Sequence, residues 1–111
     1  MQRVFVAIVM ILSLMLVSTG SLAAADAAAG KATYTAKCVS CHNAGGEGKD
    51  AIAKMMKVEL RPLGSKEVQA KTDAELAKIM TDGNGKMKAV AGVDQKTALD
   101  VVAFLRTLAK K

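Results

Sequence analysis

Five consecutive residues, "CVSCH" at positions 38–42, constrain this chain more than any other feature of its sequence. They contain both cysteines, Cys38 and Cys41, and the only histidine, His42, of the 111 residues. A disulfide between two cysteines this close in sequence would close too small a loop to stabilise a fold of this size. The three side chains therefore indicate a local chemical role rather than a structural bridge.

The first 25 residues have the pattern of a secretory signal peptide. Arg3 supplies a positive charge, an apolar run follows over residues 4–17, and Ala23 and Ala25 fit a small-x-small cleavage site. The run is shorter than the roughly 20 residues that span a bilayer, which disfavours the alternative of a retained anchor. We therefore expect residues 1–25 to be removed on export, into the bacterial periplasm, and residues 26–111 to form one domain with no membrane anchor.

Cleavage after Ala25 would leave a small, basic domain. It would contain 86 of the 111 residues, and loss of Arg3 would lower the formal net charge from +6 to +5. Only two aromatic residues, Tyr34 and Phe104, would remain to fill its core. The positive charge favours acidic partners. Nucleic-acid binding is not expected, because the lysines are not interleaved with aromatic residues.

Helix signals predict four helices and no strand, which is an all-α fold class. The predicted helices cover residues 26–41, 50–58 and 72–82 and a C-terminal segment that begins after Asp94. Asp26, Thr72 and Asp94 are the expected N-caps, and Glu75 completes a capping box with Thr72. Segment 42–50 and segment 83–93 are rich in glycine and are predicted loops, and segment 59–71, around the only proline, is predicted to be irregular.

The spacing of the five-residue motif matches covalent attachment of one haem c. Thiols at i and i+3 lie on one face of a helix and can each add to a vinyl group of the porphyrin, while the next residue, His42, reaches the iron. A zinc site is disfavoured because the chain has no fourth cysteine or histidine ligand, and a thioredoxin-like dithiol because the βαβ setting is missing. Haem would also fill a core that is poor in aromatic residues, so the haem-free protein is expected to be at best loosely folded.

The second axial ligand is predicted to be a methionine, because His42 is the only histidine. Met80 belongs to the apolar stripe of the third helix and is expected in the core. Met55 and Met56 are expected to pack near the haem edge rather than to bind the iron. Met87 lies in a glycine-rich loop, where an apolar side chain is not needed to pack a helix against the core, and it is the predicted distal ligand.

Three segments resemble the class I c-type cytochromes, which are small monohaem electron carriers. They are "GKATYTAKCVSCHNAGGEGK", "AELAKIMTDGNGKM" and "DVVAFLRTL", and together they extend over essentially the whole mature chain. The resemblance implies a cytochrome c fold of about four helices packed around one covalent haem. It also implies that Gly30 and Tyr34 of the first helix meet Val101 and Phe104 of the last.

Two departures from that family bear on the iron ligands. The family usually has a proline and an aromatic residue after the axial methionine, whereas this chain reads Met87-Lys88-Ala89-Val90. A loop without them is less constrained, which implies a more labile bond to the iron. The family also has a proline whose carbonyl orients the proximal histidine, but Ala51 stands roughly at that place, so the carbonyl that orients His42 is left open.

These features predict a monomeric one-electron carrier rather than an enzyme, with His42 and Met87 as axial ligands. Lys37, Lys86 and Lys88 flank the motif and the ligand loop and could form a basic docking ring for acidic redox partners, although each could also be an ordinary solvated lysine. One alternative is a haem enzyme or sensor for peroxide or a small gas, with a labile or open sixth position. Another is a subunit of a larger redox complex.

Overall fold

The computed structural model describes residues 24–110, so that most of the predicted signal peptide and Lys111 lie outside the described residues. Within this range there are six helices and no strand, and an isolated β-bridge joins Asn84 and Met87. The helices are α1 (Ala27–Lys37), α2 (Val39–His42), α3 (Asp50–Met56), α4 (Lys66–Gln69), α5 (Asp73–Asp82) and α6 (Gln95–Thr107). The all-α class is thus confirmed. No helix within residues 24–110 combines the length and apolar character needed to cross a membrane.

The predicted N-caps are confirmed. The Asp26 carboxylate accepts hydrogen bonds from the first turn of α1, and the Asp94 carboxylate accepts one from the Thr97 amide at 2.8 Å. This Thr97 amide also lowers the pKa of Asp94. Thr72 and Glu75 form the complete capping box of α5. These helices begin where side-chain oxygens satisfy amides that have no partner within the helix.

Three of the predicted segments are corrected by the structure. The prediction of one continuous helix over residues 26–41 is wrong, because Cys38 adopts φ −114° and separates α1 from α2. Segment 59–71 is not irregular throughout, because the hydroxyl of Ser65 accepts the Val68 amide and starts the short helix α4. The second helix ends at Met56 rather than at residue 58, because Lys57 takes a left-handed φ of 54°.

The core lies where α6 packs against α1 on one side and α5 on the other. The predicted apolar face of α6 is buried, with Ala98, Val101 and Val102 each at most 1% exposed. Leu76 and Met80 of α5 close the other side. The first helix α1, the last helix α6 and the helix α5 therefore form one apolar cluster.

A glycine sets the distance between α1 and α6. A Cβ built on Gly30 would overlap the carbonyl oxygen of Asp100 and would lie 2.8 Å from the amide nitrogen of Val101. A few residues along the same interface, the rings of Tyr34 and Phe104 lie with their centroids 5.1 Å apart and tilted by 53°. The contacts implied by the resemblance for Gly30 and Tyr34 are therefore present.

Two polar groups fasten α6 to the rest of the chain. The buried carboxylate of Asp100 accepts the backbone N–H of Asp26 at 2.9 Å and the ammonium of Lys96 at 3.1 Å, and the Asp26 N–H contributes most to lowering the pKa of Asp100. At the other end of α6, the guanidinium of Arg106 donates five hydrogen bonds to residues 69–73. The segment that leads into α5 is thereby held against the last helix.

Candidate functional site

The motif residues Cys38, Cys41 and His42 occupy a single turn, as their spacing predicts. The carbonyl of Cys38 accepts the amide of Cys41 at 3.2 Å and the amide of His42 at 3.0 Å. Both thiols are free and half-buried, and burial raises the pKa of the Cys38 thiol. The turn therefore presents two unbridged thiols and an imidazole from adjacent positions.

The imidazole of His42 has a buried nitrogen without a protein partner. Its Nδ1 makes no hydrogen bond to any of the described residues. Burial also lowers the pKa of His42, which keeps the ring neutral near pH 7, the form that binds metal ions. An orphaned buried nitrogen is costly in a site that has only protein atoms. Together with the two free thiols, this neutral ring fits the donor set that covalent haem requires.

The carbonyl that the resemblance leaves open for His42 is not supplied by the backbone in this structure. Because Nδ1 has no partner among the described residues, Ala51 does not take the role of the family's proline. Ala51 lies instead in the first turn of α3, where its side chain is exposed. Among residues 24–110, no backbone carbonyl therefore accepts the Nδ1–H of His42 in this structure.

The chain after the motif folds back and fixes its backbone. The carbonyl of His42 accepts the amide of Gly48 at 2.9 Å, and the carbonyl of Cys41 accepts the amide of Lys49 at 2.9 Å. Gly46 turns this loop with a φ of 78°, and a Cβ there would lie 3.0 Å from the side chain of Leu63. The end of α2 is thus held by the loop that follows it.

Tyr34 anchors the motif to the core. Its ring is 1% exposed, and its hydroxyl donates to the carbonyl of Asn43, the residue directly after His42. Burial raises the pKa of Tyr34 to about 12, so that the hydroxyl stays protonated and remains a donor. The same ring that packs on α6 therefore positions the C-terminal end of the motif.

The four methionines of residues 24–110 occupy different environments. Met80 is 6% exposed in the apolar cluster, which confirms its predicted place in the core. Met55 is 72% exposed, while Met56 at the end of α3 is half-buried. Met87 lies in the loop between α5 and α6, as predicted, and its side chain is half-buried. Of the four, Met87 combines partial burial with a position outside every helix of the described residues.

The Met87 loop, residues 83–93, is built on a narrow turn. Asn84 and Met87 exchange two backbone hydrogen bonds of 2.8 and 3.0 Å, and the amide of Val90 donates to the carbonyl of Met80 at 2.8 Å. The ammonium of Lys37 donates to the carbonyl of Ala91 at 2.9 Å. Since Lys37 directly precedes Cys38, this bond links the Met87 loop to the start of the motif.

The three lysines of the predicted docking ring are all exposed but differ in their contacts. Lys37 bonds to the Met87 loop, and Lys86 donates from that loop to the carbonyl of Met56 at 2.6 Å. For Lys88, the structure gives no hydrogen bond of the ammonium to another of the described residues. Sequence reasoning assigned all three to the surface and missed these two bonds, because a backbone carbonyl acceptor has no residue-type signature.

A groove of about 390 Å³ lies beside α3, and it does not belong to the motif. Its eight lining residues fall between positions 48 and 60, and none of the thiols, His42 or Met87 is among them. Within residues 24–110 there is also no group of three or more histidine, cysteine, aspartate or glutamate side chains placed to hold a metal ion. The motif turn and the Met87 loop are therefore the candidate site.

Comparison with known proteins gives one family. Residues 25–105 match the family model described as cytochrome c oxidase, cbb3-type, subunit III. The match includes the motif turn, the Met87 loop, α1 and α5, and it extends into α6 as far as Leu105. No curated protein matches the chain.

Proposed function

This chain belongs to the c-type cytochrome family described as cytochrome c oxidase, cbb3-type, subunit III, and from that membership we propose that it is an exported one-electron carrier ligated by His42 and Met87. The family implies a covalently bound haem c with iron, and a haem-based electron carrier is the function that follows. When bound, haem supplies an iron centre that exchanges one electron between its ferric and ferrous states. The ligands, the partners and the compartment are the further parts of the proposal.

The observation that carries the proposal is the motif turn. Cys38 and Cys41 are both free thiols, so each is available for a thioether bond to the porphyrin. His42 presents a neutral imidazole whose Nδ1 has no protein partner among the described residues. We assign His42 as the proximal axial ligand, held in place by the loop bonds of its own carbonyl.

Met87 is the proposed distal ligand. Its half-buried position in the loop between α5 and α6 supports this role, as does the link through Lys37 between that loop and the motif. Met80 is committed to the apolar cluster, and Met55 is largely exposed. A thioether favours the reduced state of the iron and raises its reduction potential, which suits an electron carrier.

The test of the ligand is an absorption spectrum of the purified ferric holoprotein, with and without Met87→Ala. The wild type should show the weak far-red band of sulfur-ligated ferric haem, and the variant should lose it. Met55→Ala is the matched control, since Met55 is 72% exposed, and it should retain the band. A wild type without the band would favour the enzyme or sensor alternative.

We prefer electron transfer to catalysis because the chain has few side chains that could assist a reaction at the haem, such as peroxide cleavage. The only histidine is the proposed proximal ligand, and peroxide cleavage needs a further acid-base or cationic group on the distal side. Of the two arginines in the described residues, Arg106 is engaged by residues 69–73. Peroxide turnover by the holoprotein above that of free haem would contradict this part of the proposal.

Docking to acidic partners is proposed through Lys37, Lys86 and Lys88. All three are exposed, and a hydrogen bond to a carbonyl leaves the positive charge of Lys37 and Lys86 in place. Electrostatic docking gives fast and weak association that decreases steeply with salt. The bimolecular rate with an acidic redox partner should therefore fall between low and physiological ionic strength, and a flat profile would refute this docking mode.

A second candidate is a subunit of a larger redox complex, and the family description favours it, because it names subunit III of an oxidase. The haem chemistry would be unchanged, but the protein would not diffuse between partners. Gel filtration of native extracts, followed by haem staining, distinguishes the two. A haem band at the mass of the free chain supports a mobile carrier, whereas a band only at high mass supports the subunit.

Export to the periplasm is the last part of the proposal. The family match begins at residue 25, next to the proposed cleavage after Ala25, and thioether attachment to haem suits an exported protein. N-terminal sequencing of the mature holoprotein tests it. A sequence that begins at Asp26 is expected, and one that begins at Met1 would contradict cleavage.

A further inference from the structure

The Met87 loop is held from both sides by lysine ammonium groups that bond to backbone carbonyls. Lys37 of α1 donates to Ala91 at 2.9 Å, and Lys86 of the loop donates to Met56 at 2.6 Å. We propose that Lys37 and Lys86 are positioning residues that hold Met87 in place for the iron. This inference rests on the proposed ligation by Met87 and gives two of the proposed docking lysines a separate role.

The loop needs such support because little else fixes it. Lys88 and Ala89, which follow Met87, are exposed, and so is Ala91, so that these side chains add little apolar packing. The loop's backbone bonds are the exchange between Asn84 and Met87 and the bonds from Gly83 to Ile79, from Val90 to Met80 and from Val93 to Val90. None of these bonds connects the loop to the motif or to α3.

The two lysine bonds provide those two connections. Lys37 directly precedes Cys38, so its bond to Ala91 fixes the end of the loop relative to the thiols. Met56 is the last residue of α3, and a carbonyl at a helix C-terminus attracts a cation. Hydrogen bonds from a charged donor are stronger than those from a neutral one. Together the two bonds hold the loop on either side of Met87.

The chain contains a matched control for each lysine. Lys88 is exposed on the other side of Met87, and the structure gives its ammonium no hydrogen bond to another of the described residues. Lys31 is exposed on α1, as Lys37 is, and its ammonium likewise has no such bond. Glutamine at any of these four positions removes the same single positive charge. If the two variants of a pair behave differently, the difference is therefore due to the lost ammonium-to-carbonyl hydrogen bond and not to the lost charge.

The experiment compares the holoproteins of Lys86→Gln with Lys88→Gln and of Lys37→Gln with Lys31→Gln. Amide hydrogen exchange of Met87 and Val90 measures opening of the loop, and the rate at which ferric holoprotein binds added imidazole measures access to the iron. Loss of one bond should raise both rates by about three- to tenfold, since a net 0.7–1.4 kcal/mol corresponds to that change. The two controls should stay within about twofold of the wild type.

The outcomes separate the positioning role from the ligand assignment. If neither rate differs within either pair, while the wild type retains its far-red band, the positioning role is wrong and Met87 ligation stands. If amide exchange accelerates in Lys86→Gln but the wild type lacks the band, Met87 is not the ligand, and the positioning role fails with it. If both rates rise only in Lys37→Gln and Lys86→Gln, the proposal is supported.

Discussion

Substitution of Gly30 by alanine tests the packing of α1 on α6. In an isolated helix this change would stabilise the helix by about 1 kcal/mol. Here the added Cβ would overlap the Asp100 carbonyl and lie 2.8 Å from the Val101 amide nitrogen, whereas relaxed contacts need about 3.5 Å. Relief of the overlap with the carbonyl oxygen therefore requires the two helices to separate by roughly 1.5 Å. Overpacking of this kind costs about 1–3 kcal/mol.

The separation also weakens the neighbouring aromatic pair. The Tyr34 and Phe104 rings, now 5.1 Å apart, contribute about 0.5–1.5 kcal/mol beyond their buried area. After the gain in helix propensity, the net loss is about 2 kcal/mol, which lowers the Tm of a domain of this size by about 8–16 °C. Thermal unfolding of the holoprotein, followed by circular dichroism in the far-ultraviolet and in the haem band, measures it.

The control for Gly30→Ala is Ala29→Gly, because Ala29 directly precedes Gly30 in α1 and is exposed. It should cost no more than about 1 kcal/mol, because only helix propensity changes. A Gly30→Ala protein as stable as the wild type, or more stable, would refute the close contact between the two helices.

Three further predictions concern stability. Asp100→Asn should make the free energy of unfolding less dependent on pH in the acid range. The Asp26 N–H is the chief cause of the lowered folded-state pKa of Asp100. The ionised carboxylate therefore stabilises the wild type above the unfolded pKa of about 4, and this stabilisation is lost as the pH falls through the folded pKa. Urea unfolding at several pH values measures this, and parallel profiles would contradict it. Arg106→Lys should lower the free energy of unfolding by about 1–3 kcal/mol, because an ammonium cannot replace the five hydrogen bonds that the guanidinium donates to residues 69–73. Arg61→Lys is the control and should leave the free energy of unfolding, also measured with urea, nearly unchanged. The haem-free protein should lack a cooperative thermal transition, and one that matches the holoprotein would show that haem is not needed for the core.

The helices and their core could be predicted because their signals are local. Asp26, Thr72 and Asp94 cap helices through oxygen atoms that lie within three residues of the amides they bind. The apolar repeat of α6 indicated its buried face for the same reason. The motif turn was equally predictable, since its chemistry depends on the spacing of three side chains along one turn.

The remainder depends on contacts between distant segments. The bonds of Lys37 and Lys86 end on the carbonyls of Ala91 and Met56, and any residue could supply such an acceptor. The break at Cys38 is a backbone distortion, for which neither Cys38 nor its neighbours carry a breaker signal. The short helix α4 follows from a single Ser65 cap within a segment whose proline and glycine favoured a loop.

The packing of α1 on α6 has a consequence for the order of events in the cell. The hydrogen bond from Asp26 to Asp100 joins positions 74 residues apart, so the core cannot close until the last helix has been synthesised. Cys38 and Cys41 lie directly after α1, so under the proposed export they would cross the membrane well before that helix. Their thiols would then be accessible to haem during a period when the rest of the domain is still unfolded.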